Sequence, residues 1–114
     1  MRAAYLVFTT PISPEKESEY NDWYDTVHIP AILKLDGFVR ASRWKLSSAR
    51  PASDALAARP YAAIYELETD DLSSALDGLK AASATGSLGN PAEVLSKEPP
   101  TITAMFELVS EIEG

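Results

Sequence analysis

Ala3-Ala4-Tyr5-Leu6-Val7-Phe8-Thr9 is a β-rich run that is apolar at odd and even positions alike. Successive side chains of a strand point to opposite faces, so a strand with one wet face alternates in polarity and a strand covered on both faces does not. The run therefore predicts a central strand with apolar cover on each side. Thr101 to Val109 reads the same way, with Ile102, Ala104, Phe106 and Leu108 on one parity and Met105 and Val109 on the other.

Working outward from the first strand, Pro11 ends it and Ser13-Pro14 opens a helix, with Ser as N-cap, Pro at the first helical position and Glu15 and Glu17 near the positive end of the dipole. The helix is expected to run to about His28, because Pro30 pushes Ile29 away from helical angles. A short turn over 31–35 follows, closed by Asp36-Gly37. Phe38 to Leu46 predicts a second strand, and Arg40, Arg43 and Lys45 suit it to a sheet edge. Residues 47–60, with Pro51 and Pro60, form a long connection with one helical turn at 54–58. Tyr61 to Leu67 predicts a third strand. Thr69 is expected to cap a second helix that carries Leu72, Ala75, Leu76 and Leu79 as its apolar stripe and frays near Thr85-Gly86. In the irregular stretch 86–100, Asn90-Pro91-Ala92-Glu93 resembles a capping box and predicts a short helix to Ser96. Loops of this length are usually functional or disordered, and 47–60 and 86–100 are expected to form a pocket rim or a dimer clasp.

The order β-α-β-β-α-β is an α+β, ferredoxin-like βαββαβ plan with a four-stranded antiparallel sheet, in a single domain spanning 1–114. Its helices cover one sheet face. The apolar character of the first and last strands on both parities leaves a second apolar face, which a monomer would expose to water. Pairing of two copies face to face covers it, which predicts a homodimer closed into a dimeric α/β barrel.

Composition excludes several function classes. The chain has 114 residues, no cysteine and one histidine, so disulfides, thiolate chemistry and a multi-His metal site within one protomer are excluded, and no metal is implied. A net charge of −7 disfavours nucleic acid and anionic membrane surfaces as partners. No apolar run approaches a membrane span, and the N-terminal run is too short for a secretory signal, so a cytoplasmic location is expected.

Tyr20-Asn21-Asp22-Trp23-Tyr24-Asp25-Thr26-Val27-His28-Ile29-Pro30 carries the candidate chemistry. At helical spacing Tyr20, Trp23, Tyr24, Val27 and Ala31 share an apolar face, and His28 falls on its border. A border imidazole can face a cleft and titrates near neutrality. Tyr24 is placed as a phenol donor and Asp25 as a group to orient the ring. The competing reading has His28 at a helix C-terminus, held there by the dipole and the last carbonyls. Trp23 and Tyr20 suit a buried helix face, and Tyr5, Tyr61, Tyr65 and Trp44 suit either a pocket lining or ordinary sheet packing. Arg43 is a candidate for a carboxylate or enolate, or a solvated edge residue.

Trp23-Tyr24, His28-Ile29-Pro30, Leu35-Asp36-Gly37-Phe38, Ala41 and Arg43-Trp44 together resemble the EthD-like branch of the dimeric α/β-barrel superfamily, best over residues 1–46. Asp36 departs from the common Pro-Gly-Phe turn, and the loop at 49–60 is longer and rich in alanine. The resemblance implies a ferredoxin-like protomer, a barrel-forming dimer and a pocket between helices and sheet. It carries over the helix histidine, His28, with Trp23 and Tyr24 beside it. Superfamily members include cofactor-free monooxygenases, polyketide cyclases, isomerases, dehydratases and haem enzymes; nothing here besides His28 marks a haem site, and no cofactor is implied.

Two functions follow as expectations. The first is a cofactor-independent enzyme in which His28 moves a proton on a hydrophobic aromatic or polyketide-like small molecule, giving cyclisation, dehydration, isomerisation or quinone-forming oxygenation, with Tyr24 and Tyr65 as donors to the developing oxyanion and Trp23, Trp44 and Arg43 against the substrate. The second is a non-catalytic ligand-binding or accessory dimer. An enzyme should place His28 beside an enclosed pocket of roughly 300 Å³ or more. A structural dimer should bond His28 to a backbone carbonyl with no cavity beside it.

Overall fold

The computed structural model describes residues 1–49 and 52–114, so Pro51 of the expected connection lies outside the described residues. Four strands, β1 (Arg2–Thr9), β2 (Phe38–Lys45), β3 (Tyr61–Glu68) and β4 (Ile102–Glu107), form one antiparallel sheet in the order β2-β3-β1-β4. The chain is α+β with the ferredoxin-like arrangement of strands. β1 is central, as its two-sided apolar run requires, and β2 is an edge strand, as its cations suggest.

The register sorts the side chains. Tyr5 sits opposite Tyr65 on β3 and Met105 on β4, and Val7 opposite Ala63 and Thr103; this parity faces the helices. Ala3, Thr9, Tyr61, Ala63, Tyr65 and Leu67 are buried there against Tyr20, Tyr24, Ile32, Ala75 and Ala82 from the helices. The other parity is only partly covered by the described residues, with Leu56 and Arg59 near Phe8 and Trp44. Leu6 lies opposite Ile64 and Ala104, and Phe8 opposite Ala62 and Ile102, while Trp44 and Phe106 are more than half exposed at 59 % and 56 %.

The first helical stretch differs from expectation. It runs on through Pro30 instead of stopping at His28: a 3-10 turn Pro14–Lys16, an α-helix α1 (Glu17–Trp23), a π-helical turn Tyr24–His28 and a short α-helix α2 (Ile29–Ile32). Pro30 has no N–H for a carbonyl one turn back, and its ring crowds that carbonyl. The chain absorbs the mismatch as a wider turn, in which the Ile29 N–H reaches back five residues to the Tyr24 carbonyl. The Thr26 hydroxyl also bonds the Asp22 carbonyl at 2.6 Å, a contact of the kind that bends helices.

α3 (Asp54–Ala57) is the expected helical turn, and Ser53 caps it by accepting the Leu56 N–H. α4 (Leu72–Ala84) begins two residues later than expected. Asp71 is its N-cap, accepting the Ser74 N–H, while the Thr69 hydroxyl forms the turn before it. The short helix expected at 91–96 is a single turn, in which Val94 and Leu95 both reach the Pro91 carbonyl. The segment is instead tied to the chain after β1 by Ile12 N–H to Val94 O at 2.7 Å and Ser96 N–H to Thr10 O at 3.0 Å. Once those backbone groups are satisfied by 10–12, nothing favours continuing the helix. No helix among the described residues is long and apolar enough to cross a membrane.

Candidate functional site

The π turn decides where His28 points. Residues five apart on an α-helix lie about 140° apart around the axis. A turn bonded i to i+5 brings them one above the other. Trp23 and His28 are so related, and their rings stack with centroids 4.5 Å apart and planes 21° apart. Tyr24 meets the same imidazole edge-on at 5.2 Å.

The other side of His28 is set by the end of α4. Gly86 adopts φ +79 just past the Thr85 cap, and the Gly86 and Ser87 N–H groups return to Ser83 and Ala82. This double closure is the usual glycine-ended helix stop. It delivers the Leu88 carbonyl to within 2.9 Å of His28 Nδ1. A carbonyl only accepts, so Nδ1 carries the proton and Nε2 keeps its lone pair. The ring is therefore anchored by Leu88. Asp25 plays no part in orienting it: Asp25 is exposed and pairs with Arg43 at 3.2 Å.

Gly89 completes the seat. Its φ is +89, and a Cβ there would lie 2.7 Å from Val27 Cγ1 and 2.9 Å from Trp23 Nε1. Gly89→Ala should therefore lift the loop off the helix and lower stability by about 1–3 kcal/mol. Urea denaturation reads the stability, and loss of the His28–Leu88 bond appears as a change in the His28 ring nitrogen shifts.

Burial pushes the His28 imidazole below its ordinary value, and the bond to Leu88 opposes that. The unfolded ring then takes its proton at higher pH than the folded one. Stability should fall as pH drops below about 6.5, since the unfolded state binds more protons there. Urea midpoints compared between about pH 7 and pH 5 should decline less in His28→Gln than in the parent.

A cleft of about 210 Å³ lies between the first helical stretch, α4, the sheet and the 86–100 segment. Trp23, Tyr24, His28 and Tyr65 line it together with apolar side chains such as Val7, Ile32, Leu79 and Leu95. Leu88, Pro91 and Leu95 bring the 86–100 segment into its wall, whereas the described residues of 47–60 contribute nothing to it. His28 thus has both a backbone-carbonyl bond and a cavity beside it, and the cavity is smaller than the enzyme reading required.

Tyr65 is 1 % exposed, and its hydroxyl has no hydrogen-bond partner among the described residues. Burial raises its pKa well above the usual phenol value, so it stays protonated. Among the described residues the Tyr24 hydroxyl has only a long 3.4 Å contact with Thr9 Oγ1, which is taken up closely by Tyr20. Burial also raises Tyr24, and pushes Tyr20 up to about 12.

Two candidates lie elsewhere. Trp44 is on the opposite sheet face from His28, next to Phe8, because its position on β2 pairs with Ala62. Arg43 faces the helices, but its guanidinium sits against the rings of Tyr24, Tyr20 and Tyr61 at 4.7, 5.3 and 5.3 Å. It also bonds Asn21 Oδ1 at 2.9 Å and Asp25, and is 14 % exposed. Arg43 is a packing element behind Tyr24, neither a solvated edge residue nor part of the cleft wall. Thr9, Leu88 and Gly89 were not singled out from sequence; the positive-φ role of Gly89 depends on Trp23, far away in the chain. No cluster of three or more His, Cys, Asp or Glu able to hold a metal occurs among the described residues.

Comparison with known proteins adds a family and a fold. The model of a domain of unknown function, DUF4286, matches residues 4–75. No curated protein sequence matches the chain. A dimeric ferredoxin-like protein of unknown function from Jannaschia sp. CCS1 superposes with a TM-score of 0.65 at 14% identity, covering 95% of this chain and 100% of that one. HapK from Hahella chejuensis gives 0.63 at 9% identity, covering 97% of each chain. An EthD family protein from Bacillus halodurans C-125 gives 0.61 at 13% identity, covering 96% and 100%. At these identities the likeness is one of fold.

Proposed function

The chain belongs to the DUF4286 family, and from that premise we propose that it is a homodimeric, cofactor-independent catalyst of proton transfer on a hydrophobic small molecule held in the His28 cleft. One observation carries the reading: Leu88 holds the proton of His28 on Nδ1, which leaves Nε2 as a free base on a ring that lines the cavity. Nε2 takes a proton from a carbon next to a carbonyl, the electron pair moves onto the carbonyl oxygen, and the Tyr65 hydroxyl donates to that oxygen. Return of the proton, or its delivery to another atom, gives isomerisation, cyclisation or dehydration according to the substrate. Tyr24 is a second donor, and Trp23 holds the imidazole plane.

Dimerisation is supported by the partly uncovered apolar sheet face and by the dimeric ferredoxin-like protein from Jannaschia sp. that shares the fold. The second reading, a non-catalytic binding dimer, is favoured by the cavity volume of about 210 Å³ and the carbonyl-bonded ring. Exchange of the methyl protons of acetophenone in heavy water, followed by NMR, separates the two. Exchange above buffer in the parent and absent in His28→Gln supports catalysis. Binding without exchange supports the accessory dimer.

A further inference from the structure

The cleft also defines the chemistry of its ligand, on the reading above that it is a ligand site. Among the described residues its wall contains no Asp, Glu, Lys or Arg. Arg43, the cation on the adjoining strand face, is turned into the tyrosine rings and paired with Asp25 and Asn21. An anion entering here would shed its water without meeting a counter-charge, which is strongly unfavourable. The net charge of −7 adds a repulsive field.

The wall also carries the Thr9, Ser83, Thr101 and Thr103 hydroxyls, which donate or accept, and the Trp23 Nε1 donor, unpartnered among the described residues; Tyr65 is the most deeply buried of these polar residues. The Tyr65 hydroxyl is buried without a partner, so an oxygen acceptor placed before it gains a bond that the empty protein lacks. His28 Nε2 accepts from an acidic hydrogen. Size adds a limit, since apolar cavities of about 150 Å³ hold a benzene ring. At about 210 Å³ the cleft takes one ring with a short substituent. We propose that the cleft selects neutral, single-ring molecules with a hydrogen-bond-accepting oxygen, the aryl ketones and phenols, and rejects carboxylates of the same size. Tyr65 is the residue that reads the oxygen.

The test is an NMR titration of the full-length protein at neutral pH with acetophenone, ethylbenzene and benzoate, which share a ring and differ in acceptor and charge. Acetophenone should bind saturably and shift the amides of Leu88, Gly89 and Thr103. Benzoate should bind about tenfold or more weakly. Tyr65→Phe should weaken acetophenone about five- to tenfold, the loss of one hydrogen bond, and leave ethylbenzene unchanged. Benzoate binding as well as acetophenone in the parent overturns the proposal without use of any variant. So does an equal loss of acetophenone and ethylbenzene affinity in Tyr65→Phe. If none of the three binds, the proposal falls together with the ligand site itself, whereas failure of the exchange assay alone removes catalysis and leaves the selectivity standing.

Discussion

His28→Gln is expected to lower proton exchange on an enolisable ketone about 10²-fold or more, the lower end of what positioned acid–base groups contribute. Gln is the informative change because it fills most of the volume of the imidazole beside Trp23, and its amide can still reach the Leu88 carbonyl. What it lacks is a basic nitrogen at the far end. The fold, the dimer and the binding of a ligand that makes no bond to Nε2 should all persist. A rate unchanged within a factor of two would make the histidine a structural element, and the accessory-dimer reading would then stand.

The second large effect concerns the partly uncovered sheet face. Ile64 lies on β3 opposite Leu6 and Ser42, on the parity facing away from the helices. Ile64→Asp should dissociate the dimer, weakening it about 10³-fold or more, because each copy then buries an unpaired carboxylate at the contact. The helix-side core, with Tyr65 and Ala63 as neighbours in sequence, is untouched, so far-ultraviolet circular dichroism should be retained. Sedimentation velocity at micromolar concentration reads the result. A parent protein that sediments as a monomer, or a variant as dimeric as the parent, contradicts the pairing.

How far the chain could be read in advance follows from which interactions are local. Strand identity and sheet position were legible because alternation, or its absence, is written in adjacent residues: β1 proved central and β2 an edge. The cap of α4 moved from Thr69 to Asp71 because two competent cap residues sit two apart and only packing chooses between them. Pro30 reads as a helix end at His28, whereas the helix runs on through it by a π turn that stacks Trp23 on His28, and that solution depends on the tertiary anchoring of both rings. The orienting group for His28 was sought next to it in sequence, at Asp25, and lies sixty residues away at Leu88. Arg43 was expected to be a ligand contact or solvated, yet three tyrosine rings and Asp25 claim it, a convergence that no single stretch of sequence displays.

The free Nε2 of His28 is the point on which the account turns, and long-range nitrogen–proton NMR on the uniformly labelled dimer measures it directly across a pH titration. The account predicts a neutral ring at pH 7 with its proton on Nδ1, titrating below the ordinary imidazole value because of its burial. A proton on Nε2, or a ring that is charged at neutral pH, would contradict it.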